Sequence, residues 1–348
     1  MNALSKNKTL KTAIVILNYN GKHFLEQFIK SVVDFSTLPD VSIYVADNAS
    51  TDDSVSFLKE NFPQIKLIIL NENFGYAGGY NKALLEVNAE YYILLNSDVE
   101  VSENWIEPII KYMDSHQEVV ACQPKILAYH DKKRFEHAGA AGGFIDKYGY
   151  PFCRGRVLGK AELDEGQYDT IEEIFWASGA CLFIRKNDFW EVGGFDASFF
   201  AHMEEIDLCW RLKSRGKHIA CVPESVIYHV GGGTLTVESP KKTYLNYRNN
   251  LLMIYKNIAT SKLNNVLLVR WFLDYLSALQ MFLAGKKENA RNVLKARRDF
   301  NKKKIVYKHR RKENLESTVE MEPTGFLNKS IVFNYYILNR KKYTELIK

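Results

Sequence analysis

Cysteine is scarce and unpatterned in this chain: Cys122, Cys153, Cys181, Cys209 and Cys221 are odd in number and include no C-x-x-C pair. That excludes a disulfide frame or a zinc ribbon and predicts reduced core thiols, as in a cytosolic protein. Long apolar runs are missing as well. No 18 apolar residues are consecutive, and the nearest candidate, 263–285, is interrupted by Arg270, Asp274 and Gln280, so no spanning helix is predicted. The run from Ala13 to Leu17 behind Lys6, Lys8 and Lys11 is too short for a secretory signal core. No G-x-G-x-x-G follows that first run, where the chain reads Asn18, Tyr19, Asn20, Gly21, which argues against a dinucleotide-binding Rossmann domain. Basic residues are present, but no nucleic-acid module accompanies them, so nucleic acid is not an expected partner.

What is present is ample for a core: 46% of the 348 residues are hydrophobic and 13% aromatic. The net charge of +6 hides an asymmetry. Residues 1–240 carry 23 Lys and Arg against 33 Asp and Glu, a balance of −10, whereas 241–348 carry 24 against 8, a balance of +16. The expected organisation is an α/β body over 1–240 and a basic helical C-terminal region over 241–348.

The organising stretch runs from Tyr91 to Leu95, five apolar residues closed by Asn96, Ser97 and Asp98. It reads as a strand buried on both faces of a mostly parallel sheet. In open α/β sheets ligands sit beyond the carboxyl ends of the strands, so Asp98 is placed to hold a divalent metal and, through it, phosphates. Before it come three similar strands, Thr12 to Leu17, Val41 to Ala46 and Lys66 to Leu70, each followed by a polar loop and a helical pattern. The loop after the third, 71–81, is rich in Asn and Gly. Strand and helix alternating with short links predict right-handed crossovers and a doubly wound sheet with helices on both faces.

Further on, Ser102 is the expected cap of a helix over Trp105 to Met113, and Val119 to Leu127 reads as a strand. Residues 128–175 show no sustained period and are read as a long connection with short strands, with His130, His137 and Arg154 on its surface. Phe175 to Ile184 is strand-like. Glu204, Glu205 and Asp207 then cluster at a helix start, where acids also complement the helix dipole. His218 to Val230 reads as a strand, with His229 at its end before a glycine run, and 263–283 as an amphipathic helix followed by a dense basic stretch.

The strings "AIVILNYNG", "VADNASTDDS", "NENFGYAGGYN" and "ILLNSDVEV", in this order and spacing, resemble the nucleotide-binding half of glycosyltransferase family 2, whose fold is called GT-A. "FFAHMEEIDLCWRLKSRG" and the segment Tyr244 to Asn250 extend the resemblance over roughly residues 12–255. It implies a nucleotide-binding half over about 12–100 and an acceptor half over about 101–240. It also implies an inverting transferase that moves a sugar from a nucleotide-diphospho-sugar, dTDP-rhamnose or a UDP-sugar, to a glycan or polyprenyl-linked saccharide in cell-surface polysaccharide synthesis.

By resemblance Asn18, Asp47, Asn73, Gly75, Asn81 and Asn96 line the nucleotide, with Asp47 on the base and Asn96 nearer the ribose. Asn96 and Asp98 form a variant of the D-x-D motif, and Asp98 and His229 are the implied ligands of Mn²⁺ or Mg²⁺. Glu205 stands where the family's general base is usually an aspartate, with Glu204 beside it as the other candidate. The implied location is cytoplasmic, with the helix at 263–283 and its basic sequel lying on an anionic leaflet, or else capping the body or joining two copies. A non-catalytic nucleotide- or glycan-binding relative is the main rival reading. A sugar nucleotidyltransferase is disfavoured because its glycine- and basic-rich loop after the first strand is missing.

Overall fold

The computed structural model describes residues 10–231 and 239–347. Lys6 and Lys8, and the glycines Gly232 and Gly233 behind His229, lie outside the described residues. In chain order the elements of the first half are β1 (Leu10–Asn18), α1 (Lys22–Asp34), β2 (Val41–Asp47), α2 (Ser54–Asn61), β3 (Lys66–Ile69), α3 (Gly75–Leu84), β4 (Ala89–Asn96) and β5 (Val99–Val101). There follow α4 (Glu107–Ser115), β6 (Val119–Ala128), β7 (Asp131–Phe135), β8 (Gly143–Asp146), β9 (Pro151–Cys153), β10 (Arg156–Val157), β11 (Lys160–Ala161) and β12 (Glu172–Glu173). The remainder comprises β13 (Cys181–Arg185), α5 (Lys186–Glu191), α6 (Glu204–Ser214), β14 (His218–His229), α7 (Pro240–Asn257), α8 (Thr260–Leu283), α9 (Lys287–Glu316), β15 (Phe326–Leu327), α10 (Ile331–Tyr336) and α11 (Tyr343–Ile347).

The main sheet runs β12-β14-β6-β13-β4-β1-β2-β3. β1 pairs in parallel with both β2 and β4, and β2 with β3; β13 enters antiparallel between β4 and β6, and β6 and β14 are again parallel. Successive residues of β1 and β4 serve opposite cores, as continuous apolar strands covered on both faces require. Ile14, Ile16, Ile93 and Leu95 pack with Leu25, Ile29, Leu58 and Ile109 of α1, α2 and α4. Ala13, Val15 and Leu94 pack with Ala77, Tyr80 and Leu84 of α3 and with the region of α6 and α7. Because the β1, β2 and β4 register is even, Asn18, Asp47 and Asn96 end their strands at one edge.

Three local expectations are corrected by packing. Ser102 does not cap α4, which starts at Glu107; its hydroxyl donates to the Val226 carbonyl and so ties the end of β5 to β14. Only Cys181–Arg185 of the strand-like run pairs as a strand, since 176–180 turns back to meet 123 and 138–143. Arg154 is 3% exposed rather than on the surface: its Nε donates to the Ala141 carbonyl and its Nη2 to that of Thr170. All five cysteines are buried and unbridged.

The stretch without sequence period folds into a second sheet, β11-β10-β9-β8-β15, whose last strand comes from the far end of the chain. Tyr343 packs on Phe144, Phe152 and Tyr168, and the Ile331 amide donates to Asp146 Oδ2 at 3.0 Å. The segment after 241 therefore shares its core with the body. Helix α7 is joined to α6 by a buried polar network: Lys256 Nζ lies 2.6 Å from Asp207 Oδ2 and 3.1 Å from Asp196 Oδ2, and Arg211 Nε lies 2.9 Å from Asp207 Oδ2.

Candidate active site

At the shared edge of β1 and β2, Asn18 Nδ2 donates to Asp47 Oδ1 and to Ser50 Oγ, both at 3.2 Å, while the Ser50 amide donates to Asp47 Oδ2. One asparagine further, Asn48 organises the glycine loop. Its Nδ2 reaches Asn73 Oδ1 and the Gly75 carbonyl at 3.1 Å, its Oδ1 accepts from the Phe74 amide, and Asn73 Oδ1 takes the Gly75 amide. Asn18, Asp47, Asn73 and Gly75 are thus brought together around Asn48, which the sequence reading did not single out although it lies within "VADNAS". Gly75 has φ of +71°, and a Cβ there would sit 2.5 Å from the Phe200 ring, so loop 73–75 is clamped against the 200 loop. Asn81 is placed differently. Both ends of its amide are spent on the Phe195 backbone, donating to the carbonyl at 2.8 Å and accepting from the amide at 3.0 Å, so it positions α3 rather than presenting a free group to a nucleotide.

At the ends of β4 and β14 stands a second group. His229 Nε2 lies 3.2 Å from Asp98 Oδ1 and 3.5 Å from Asn96 Nδ2, and its Nδ1 lies 3.4 Å from Glu136 Oε2, within ion-pair distance but outside hydrogen-bond geometry. Asp98, Glu136 and His229 are all buried. Burial alone would lower the imidazole pKa, but the flanking Asp98 and Glu136 carboxylates outweigh it and push it up to about 10. Conversely, burial raises Glu136, and its contact with His229 more than compensates, holding it at about 2; His229 holds Asp98 below its ordinary value in the same way.

A carboxylate oxygen beside an imidazole nitrogen, with the far imidazole nitrogen against another carboxylate, is a donor set that fits a hard divalent cation. Among the described residues no group of three or more His, Cys, Asp or Glu side chains is arranged to hold a metal. Asp98 and His229 would thus be two protein ligands, leaving other positions to phosphates and water. Glu136 was not legible beforehand: it sits in the stretch without period, and no spacing relates it to His229.

A third group faces these two. The Asn96 amide donates to the Ala180 carbonyl, and at neighbouring Gly179 a Cβ would lie 3.8 Å from Glu205 Cβ and 2.9 Å from the Tyr76 hydroxyl. Glu204 and Glu205 open α6, behind a loop in which Phe200, His202 and Met203 all have positive φ, of 68°, 71° and 74°. Non-glycine residues hold that conformation at a cost of about 1–3 kcal/mol each, sustained by the surroundings. Here the support is Asn249, whose Nδ2 donates to the carbonyls of Phe199, Ala201 and His202 at 2.8–2.9 Å.

Oε2 of both glutamates and Nε2 of His202 are buried without a hydrogen-bond partner among the described residues. Burial pushes Glu205 up to about 7; burial and the neighbouring Glu205 charge raise Glu204 well above its ordinary value. Asp207, the third acid of the run, is excluded from such a role because Lys256, Arg211 and Asn257 consume it. Lys242 completes the surroundings, its charge acting on Glu136, Asp98 and His202.

Known proteins resemble this chain in sequence and in fold. The chain is 26% identical over 231 residues to the N-acetylglucosaminyl-diphospho-decaprenol L-rhamnosyltransferase of Mycobacterium tuberculosis, covering 62% of this chain and 75% of that one. It is 27% identical over 159 residues to rhamnosyltransferase WbbL of Escherichia coli, covering 43% and 58% respectively. The crystal structure of GalNAc-T7 with UDP, GalNAc and Mn²⁺ superposes with a TM-score of 0.57 at 16% identity, over 91% of this chain and 59% of that chain, and establishes the GT-A fold. The model of the Glycosyl transferase family 2 matches residues 13–193, the span that carries Asn18, Asp47, Asn48, Asn96, Asp98 and Glu136, and the chain belongs to that family.

Proposed function

We propose that this chain is an inverting, metal-dependent glycosyltransferase. It moves a sugar from a nucleotide-diphospho-sugar, dTDP-rhamnose or a UDP-sugar, to a polyprenyl-linked saccharide or glycan at the cytoplasmic face of the membrane, in the synthesis of a cell-surface polysaccharide. The observation that carries this reading is Glu205: a carboxylate whose Oε2 is buried without a hydrogen-bond partner among the described residues, pushed up to about 7 by burial, next to the 178–180 turn that also holds Asn96. A general base works best when its pKa lies near the working pH.

Asp47 and Asn18 hold the base of the nucleotide, Asn73 and Gly75 shape the loop over it, and Asn96 lies toward the ribose. Asp98 and His229 would hold Mn²⁺ or Mg²⁺, which would supply positive charge to offset the charge of the donor diphosphate. Glu136 orients His229 through Nδ1. Glu205 accepts the acceptor hydroxyl's proton as that oxygen attacks the anomeric carbon, and a single displacement inverts it. Glu204, its pKa raised by burial and by the Glu205 charge, lies beside Glu205 on the sugar side. The names of the relatives support a lipid-diphosphate saccharide as acceptor, and UDP with Mn²⁺ in a neighbour of the same fold supports a nucleotide and a divalent metal on the donor side.

α8 supports a membrane-proximal location. By length and composition it is sufficient to cross a membrane, yet its Val266, Arg270, Asp274 and Ala278 stripe is buried, and Asp274 Oδ2 takes Arg297 of α9 at 2.5 Å. Those buried charges tie it to the body, so the helix lies along the surface. Its other side exposes Trp271, Phe272, Leu276, Leu279 and Phe282. Arg291, Lys302 and Lys303 follow on α9, and that charge matches an anionic leaflet.

Turnover of a panel of nucleotide sugars with Mn²⁺, with and without chelator, tests the reading. Native protein should transfer only with metal, and Asp98→Ala should transfer nothing. Full activity in chelator would remove the metal from the mechanism, and binding of a nucleotide sugar without any turnover would favour a non-catalytic relative.

A further inference from the structure

Away from Asp98 and His229, α7 and α9 line an open pocket of about 530 Å³ bounded by Phe200, Lys241, Tyr244, Leu245, Arg248, Asn292 and Lys295. Three of these residues are cations and none is an acid. Several buried cations of this chain have carboxylate partners, among them Lys125 with Asp164, Lys213 with Glu173, Lys256 with Asp196 and Asp207, and Arg297 with Asp274. Arg248, which is buried, and Lys241 and Lys295, which reach solvent beside it, have no carboxylate within ion-pair distance among the described residues.

Arg248 is only 8% exposed. Its Nε donates to Asn249 Oδ1 and its Nη2 to the carbonyls of Ser198 and Phe199, which fixes the guanidinium plane. The Lys295 ammonium and the Arg248 guanidinium lie 4.9 and 5.2 Å from the centre of the Tyr244 ring, and Lys241 lies 5.1 Å from that of Phe200. A buried, pre-oriented guanidinium flanked by two ammonium groups is a site built for an anion with several oxygens.

The cavity is coupled to the reacting centre through one side chain and one helix. Phe200 walls it on one side and on the other fills the space that a Cβ on Gly75 would need, while its carbonyl accepts the Ala77 amide at 3.2 Å. Asn249, next to Arg248, holds the 199–202 loop that leads into Glu204 and Glu205.

We propose that this cavity binds the diphosphate of the acceptor, so that an acceptor sugar carried on a lipid diphosphate is held by its anionic link while its hydroxyl reaches Glu205. The proposal rests on the glycosyltransferase reading above, in which the donor diphosphate is held separately at Asp98 and His229. The volume suits a diphosphate with part of a sugar ring, and Phe200 and Tyr244 supply the apolar faces such a ring stacks on.

The test uses the double variant Lys241→Ala/Lys295→Ala, which keeps the structural Arg248. Inorganic pyrophosphate is titrated calorimetrically into the full chain in the presence of chelator, so that the metal site takes no part. Saturable binding by the native protein, weakened at least tenfold in the variant, is expected; equal affinity overturns the proposal. The second measurement is the ratio of kcat/KM for a lipid-diphosphate acceptor to that for a neutral alkyl glycoside of the same sugar.

That ratio should fall at least tenfold in the variant, and an unchanged ratio refutes recognition of the anion. Binding to phosphatidylglycerol vesicles separates a phospholipid headgroup from the acceptor as the source of phosphate. If vesicle binding falls with the variant while the acceptor ratio does not, the cavity reads the bilayer and the assignment fails. Absence of sugar transfer by the native protein would instead sink the glycosyltransferase reading, and the pyrophosphate titration still decides whether the cavity is an anion site.

Discussion

Glu205→Gln separates chemistry from folding with one nearly isosteric change. In the fold Glu205 ionises at about 7, against 4.5 ordinarily, because burial disfavours its charge and Oε2 has no donor. Between those two values the folded chain holds a proton that the unfolded chain releases, so stability falls as pH rises. The contribution of the protonated carboxyl is complete below about 4.5 and lost above about 7. A rise from 4.5 to about 7 is worth at most about 3 kcal/mol.

Glutamine stays neutral, so the variant should match native protein in urea unfolding at pH 5 and exceed it at pH 8.5 by about 1–3 kcal/mol. Its kcat should drop about 10²–10⁴-fold, the usual worth of a general base, with donor binding nearly intact. The native kcat should rise with pH through about 7 as Glu205 loses its proton, and this rise should vanish in the variant. The reasoning fails if Glu205→Gln keeps near-native kcat. If Glu204→Gln is the inactive one, the base is Glu204. Loss of stability at pH 8.5 would show that the ionised carboxylate is satisfied by a partner rather than stranded.

The other expectations concern the supports of the site. Glu136→Gln should weaken Mn²⁺ binding, measured by titration of the free ion, by about 10–100-fold through the loss of a charged partner for His229; unchanged affinity would remove Glu136 from the site. Gly75→Ala should cost about 1–3 kcal/mol in urea unfolding and raise the donor KM, since φ of +71° and a contact of 2.5 Å with Phe200 both oppose a Cβ. Wild-type values for both would mean that the loop relaxes freely. Lys256→Met should cost about 3–5 kcal/mol in the same assay by leaving Asp196 and Asp207 short of a buried counter-charge, and a loss under 1 kcal/mol would assign their compensation to Arg211 and Arg310.

Local periodicity determined the framework of this protein. The apolar runs at 12–17 and 91–95 have no polar face, so they had to be covered on both sides, and the helical patterns beside them supplied the cover. From that followed the parallel half of the sheet and the common edge where Asn18, Asp47, Asn96 and Asp98 emerge. These are properties of neighbours in sequence, which a one-dimensional string records.

Tertiary structure alone decided which distant groups meet. Glu136 comes from a stretch with no period, and only the pairing of β6 with β7 and β14 carries it to His229. Only the resemblance favoured Glu205 over Asp207, acids two positions apart on one helix; their own chemistry did not. The structure separates them because Lys256 of α7 reaches Asp207 and no donor reaches the Oε2 of Glu205. Asn81, expected at the nucleotide, has its amide bonded to the Phe195 backbone, and Arg154 looked exposed and is buried among carbonyls. In each case the side chain's role depends on whether a backbone or charge from far along the chain arrives beside it. That is set by the packing of whole elements, and no local pattern of residues encodes it.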